Sequence, residues 1–245
     1  MPTNKIKDLK RSLDKLRQRD IDFGVFGAKS HLYRFRPPLT GADVFNFEEK
    51  YEIILPTDYR DFLLDCGNGG AGPYFGINKL DEAIDSSFEE DTTFLKSEFS
   101  FTESWNWPPG VFEILDGILR PGGVQMSDFF YQKYMQTSEW DIPNEEWRGL
   151  KLLAGNIDSG VQKCFSEMFQ SNYFGKKVSK GAIKICDYGS NLQFLLVITG
   201  PERGNVWFDR RYDYQGLTPV LDEEGNKMDF YSWYMNWVEK GILSV

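Results

Sequence analysis

Three runs near the C-terminus decide the fold: Ile183-Lys184-Ile185-Cys186, Leu192-Gln193-Phe194-Leu195-Leu196-Val197-Ile198-Thr199 and Asn205-Val206-Trp207-Phe208-Asp209-Arg210. Each has strand length and is rich in β-branched and aromatic residues. The middle run is almost continuously apolar, the pattern of a central strand covered on both faces. Gly200-Pro201-Glu202-Arg203-Gly204 supplies the turn into the third run. After a turn-rich stretch ending near Gly225-Asn226, Phe230, Trp233, Tyr234 and Trp237 fall on one face of a helix, predicted to stop at Gly241. Helices around such strands give an α+β chain: a single domain with an antiparallel-rich, mixed sheet flanked by helices.

Working outward, Ile6, Leu9, Leu13 and Leu16 recur at helical spacing behind a Thr3 or Asn4 cap, which predicts an amphipathic helix lying on the core. Thr40 caps a second helix to about Tyr51. Pro56-Thr57 starts a third, with Tyr59, Phe62, Leu63 and Cys66 on one face and Gly67 at its end. The loop Gly67-Asn68-Gly69-Gly70-Ala71-Gly72-Pro73 is glycine-dense, but it follows a helix, precedes the strand-like Tyr74 to Leu80 and lacks the lysine of a phosphate loop. Its expected role is a sharp reversal. Val161, Cys164, Phe165 and Met168 form another helical stripe, after an Asp158 or Ser159 cap and before Gly175. Residues 1–50 are thus a helical lead, and 51–245 form the domain, with an aromatic-rich elaboration around 81–147.

Composition excludes several functions. Lysine and arginine number 28 against 37 aspartates and glutamates, a net charge of −9, so the chain's field repels nucleic acid and favours a basic partner. The one histidine, His31, rules out multi-histidine metal sites, and the three cysteines, Cys66, Cys164 and Cys186, lack CxxC spacing and read as reduced core thiols. His31 lies in an alternating run, His31-Leu32-Tyr33-Arg34-Phe35-Arg36, which reads as a surface strand rather than part of a catalytic triad. No catalytic, cofactor-binding or metal-binding residues are assigned, and no cofactor is expected. With neither a long apolar run nor a signal-peptide pattern, the expected location is the cytosol, away from membranes.

Several segments, taken in order, resemble the SUKH superfamily of Smi/Knr-like domains. They are Leu55-Pro56-Thr57-Asp58-Tyr59-Arg60-Asp61-Phe62-Leu63, Asn68-Gly69-Gly70, Phe101-Thr102-Glu103-Ser104-Trp105-Asn106, Gly181 to Gly189, Leu195 to Gly204, Val206 to Asp209 and Phe230 to Trp237. Ser190 departs from the Cys that such proteins often carry after Tyr-Gly, and the lead to about Lys50 lies outside their usual core. The resemblance implies a non-catalytic protein-binding domain. Bacterial members are mostly linked to neutralising toxins, often nucleases, and fungal members to cell-wall regulation as interaction hubs.

The leading expectation is therefore an immunity protein that binds a basic, nuclease-type toxin. Its acidic contact candidates are Glu89, Glu90, Asp91, Glu145, Glu146, Asp222, Glu223 and Glu224, with Tyr131, Tyr134 and Trp140 as aromatic anchors. The alternatives are a general interaction scaffold and a hydrolase working through two carboxylates, for which Asp209 and Asp213, beside Trp207 and Tyr212, form the candidate pair. Trp207 and Trp233 are expected to be buried where the C-terminal helix meets the sheet. The partner's identity and the oligomeric state are not encoded legibly.

Overall fold

The computed structural model describes residues 3–84, 93–107 and 171–245. The chain divides into two units, one drawn from both ends of the sequence, Met1–Trp105 with Ser179–Val245, and one formed by Asn106–Val178. In the second unit, Tyr173 is wholly buried, its hydroxyl donates to Asn106 Oδ1 at 2.7 Å, and its ring lies 5.2 Å from that of Trp107.

The first unit is α+β. Its four-stranded sheet has the order β1 (Ala182–Gly189), β2 (Leu192–Val197), β3 (Val206–Asp209), β4 (Leu217–Pro219), with every neighbouring pair antiparallel. β2 is flanked on both sides and buried from Phe194 to Val197, as its unbroken apolar run requires. Strand β4 sits inside the stretch that sequence alone assigned to turns; only three residues long and ending in Pro219, it has little strand signature, and proline is tolerated there because the strand lies at the margin.

The helices are α1 (Asn4–Arg19), α2 (Ala28–His31), α3 (Gly41–Tyr51), α4 (Thr57–Asp65), α5 (Thr93–Lys96) and α6 (Phe230–Ser244). Thr3 caps α1, accepting from the Ile6 N–H, and Thr40 caps α3 in a reciprocal box with Asp43. Ile6, Leu9, Leu13 and Leu16 are all buried. The α1 face meets α6, and the two run parallel: Lys5 pairs with Asp229 at the start of α6, and Arg19 donates to the Ile242 carbonyl near its end. Gly241 does not stop α6. A Cβ there would stand 2.9 Å from Leu16 Cδ2, so glycine is present for close packing against α1.

On the sheet face toward α6, Trp233 packs its ring 5.2 Å from Phe194 and is buried. Trp207 is also fully buried, but it points to the opposite face, where Phe99 meets it at 5.0 Å. The register explains the difference: Phe194 opposes Phe208 while Trp207 opposes Leu195, and neighbours along a strand alternate sides.

Two expected strands are absent. Residues 31–36 contain Leu32 and Tyr33 with φ of 51° and 55°, so the run turns instead of extending, and only Phe35 forms an isolated bridge, to Gly70. His31 consequently ends α2 and is buried. Residues 74–80 are interrupted by Tyr74 and Gly76 in the left-handed region, leaving Ile77 to bridge Gly70 and Cys186. The expected helix around residues 161–168 lies outside the described residues.

Candidate functional site

The acidic candidates divide by position. Glu89, Glu90, Asp91, Glu145 and Glu146 lie outside the described residues, as do Tyr131, Tyr134 and Trp140. The remaining three occupy a small hairpin closed by the Leu221 and Lys227 bridge. Asp222 holds that hairpin: its carboxylate accepts from the Glu224 N–H at 3.1 Å and from the Asn226 N–H at 2.7 Å. These donors, the Asn226 N–H foremost, keep its pKa below the ordinary carboxylate value. Glu223 and Glu224 stand exposed at the tip, without a cationic partner among the described residues. Lys227 anchors the hairpin, reaching the Thr102 carbonyl and Glu202 Oε1.

The paired carboxylates of the hydrolase reading are committed elsewhere. Asp209 is buried and holds Arg211 through two contacts, Nε at 2.8 Å and Nη2 at 2.7 Å, and it also accepts from Gln193. Asp213 pairs with Arg210 at 2.9 Å. Each carboxylate therefore closes an ion pair within its own turn. Cys66 and Cys186 are buried thiols; burial pushes Cys66 up to about 12 and raises Cys186 as well, so neither is a nucleophile at neutral pH. Cys164 lies outside the described residues. Among those residues no group of three or more His, Cys, Asp or Glu is disposed to hold a metal ion, and no helix is long and apolar enough to cross a membrane. The backbone donors of the glycine loop from Gly67 to Ala71 are engaged internally: Gly67 N–H donates to Phe62, Gly70 N–H to Ile77 and Ala71 N–H to Arg34. They form no phosphate cradle.

Sequence reasoning missed an aromatic ledge at one end of the sheet. Its base is three nearly parallel rings: Tyr74 on Phe194 at 4.9 Å, and Phe194 on Phe208 at 4.3 Å. Above them lie Phe26, Phe75 and Tyr188, with Phe26 5.4 Å from Phe75 and 5.6 Å from Tyr188. Phe26 is 54% exposed and Phe75 41% exposed. A β-bulge between Asp187 and Gly189 leaves Tyr188 without an opposing residue and turns it onto the ledge. The backbone beneath is tightly fitted: a Cβ on Gly27, whose φ is 82°, would sit 1.8 Å from the Tyr74 carbonyl oxygen. The only sequence signal was aromatic residues beside glycines, Phe26-Gly27 and Phe75-Gly76, and glycine-rich loops usually read as plain turns.

Exposed rings of this size on a close-packed frame make the ledge the candidate contact surface among the described residues. Elsewhere the described residues include an ion-paired turn at Asp209 and Asp213 and the buried thiols of Cys66 and Cys186. No curated protein and no solved structure matches the chain. A family model described as "SMI1 / KNR4 family (SUKH-1)" does match, over residues 38–227, more than three quarters of the length. The match takes in α3, α4 and the whole sheet, so this chain belongs to the SMI1/KNR4 (SUKH-1) family.

Proposed function

We propose that this protein acts by binding a protein toxin directly and blocking it, as an immunity protein. Family membership supplies the class, since SUKH members are typically immunity proteins against polymorphic toxins. The observation that carries the reading to this chain is the aromatic ledge, whose exposed rings sit on a rigid base and resemble the anchors that dominate protein interfaces. Charge adds to it: a net −9, with Glu223 and Glu224 exposed at a hairpin tip, suits a basic toxin and would steer its approach. Glu89, Glu90, Asp91, Tyr131, Tyr134 and Trp140, which lie outside the described residues, are proposed as contacts of that partner on sequence grounds alone. Neutralisation by contact needs no chemistry from the chain, and no catalytic role is proposed for it.

The test is co-expression with a toxin encoded next to its gene. Survival of the host, together with one co-eluting complex of the purified proteins, is the expected result. Host death with no complex, for every neighbouring toxin tried, would refute neutralisation.

A further inference from the structure

We propose that the ledge of Phe26, Phe75 and Tyr188 receives a lysine or arginine side chain from a basic protein partner, a reading that rests on the protein-binding function above. Three observations point to a cation rather than an apolar plug. The upper rings are inclined to one another, Phe26 against Phe75 at an interplanar angle of 63° and against Tyr188 at 54°, so these three do not cover one another by stacking. Ring faces carry the negative part of the quadrupole and attract cations within about 6 Å. The same aromatic row already holds a guanidinium from within the chain: Arg210 lies over Phe208 at 5.5 Å, and Phe208 touches Tyr188 at 5.2 Å. That arginine is neutralised by Asp213 at 2.9 Å, so the charge it would turn against an incoming cation is largely cancelled. Finally, the chain's net charge of −9 favours a basic visitor at long range.

Docking by strand addition is disfavoured, because both sheet margins are already covered. The outer edge of β1 is met by Phe75, Asn78 and Ala83, and that of β4 by Trp105. A side chain lodged on rings is the mode left to this end of the sheet.

The probe is a short peptide alternating lysine and leucine, with the same peptide carrying glutamate for lysine as control. The full chain, isotope-labelled on its aromatic residues, is titrated with each and followed by NMR. The lysine peptide should move the ring signals of Phe26, Phe75 and Tyr188, and the control should leave them in place. Phe26→Leu keeps apolar area but removes the ring, and should weaken binding about two- to fivefold. The double variant Phe26→Ala with Phe75→Ala should weaken it more than about tenfold. Thermal midpoints should fall only modestly in both, since Phe26 is 54% and Phe75 41% exposed. Equal response to both peptides, or full affinity in Phe26→Leu, would overturn the cation reading in favour of a plain apolar anchor. Failure of toxin protection with the peptide response intact would count against neutralisation alone.

Discussion

Tyr59 shows what the recognisable residues of this chain are for. It is wholly buried, with its ring 5.0 Å from that of Phe230, and its hydroxyl has no hydrogen-bond partner among the described residues. An unpaired buried hydroxyl is a cost, so Tyr59→Phe should leave the unfolding free energy unchanged or raise it by up to about 1 kcal/mol. Tyr59→Ala should lower it by about 3–5 kcal/mol. Urea midpoints compare the two, and a clear loss in the Phe variant would contradict the assignment. The other residues carrying the family resemblance are fastenings too. Arg203 donates to the Ile54 and Leu55 carbonyls, Asp58 accepts from the Tyr231 N–H, and Asn68 accepts from the Leu80 N–H. These bonds need one residue type at one place, which is why they could be read. The ledge needs only rings at a surface, a demand that leaves no fixed spacing. His31 gives a second prediction. Burial lowers its pKa from 6.5 to about 4, the backbone of Tyr74 and of Gly72 acting in the opposite direction, and no charged side chain contributes. Between those values the unfolded chain binds a proton that the native chain refuses, so stability is lost as pH falls from about 6.5 towards 4, by on the order of 3 kcal/mol. Asp58, whose carboxyl burial raises, acts in the opposite sense, losing stability as pH rises through its own range. Urea unfolding across that span should therefore be flatter in His31→Gln than in wild type, and an identical slope would exclude His31 as the source.

Among elements, the legible ones bury a regular face. The α1 stripe, the α4 stripe and the β2 run were all evident because periodicity and burial coincide. The illegible ones depend on a few backbone angles set by distant contacts. Alternation across His31 to Arg36 looked like a strand, yet Asp20 accepts a hydrogen bond from the Tyr33 hydroxyl and His31 Nδ1 accepts one from the Tyr33 N–H, holding the chain in a turn. Gly241 was read as a terminator when it is a contact point. Its packing is testable by a double-mutant cycle: Gly241→Val should cost about 1–3 kcal/mol by overpacking and Leu16→Ala about 2–5 kcal/mol. In the Leu16→Ala background the added valine should cost less than it does alone, because the alanine makes room for it. Strict additivity would mean that the two positions do not press on each other.

At the scale of the whole molecule, the proposed function assigns the rate of encounter to charge and the lifetime of the complex to the ledge. With a basic toxin, Glu223→Lys with Glu224→Lys should slow association and reduce its salt dependence, while dissociation and the melting temperature stay near wild type. Stopped-flow mixing at two salt concentrations measures this; an association rate indifferent to both salt and charge reversal would remove the steering argument. Composition alone made the acidic balance visible, whereas the hairpin tip that displays two of these carboxylates emerges only from the fold. The parallel pairing of α1 with α6 has a further consequence, for synthesis. Arg19 and its contact at Ile242 are 223 residues apart, so at roughly 5–20 residues per second about ten to forty seconds pass between the ribosome's making the first helix and the last. Throughout that interval α1 has α4 beside it but lacks the α6 face that completes its seat. Nascent chains of this protein should therefore be held by chaperones until α6 has emerged, and truncation just before Phe230 should trap them there; ribosome-bound chains stalled on either side of α6 compare the two.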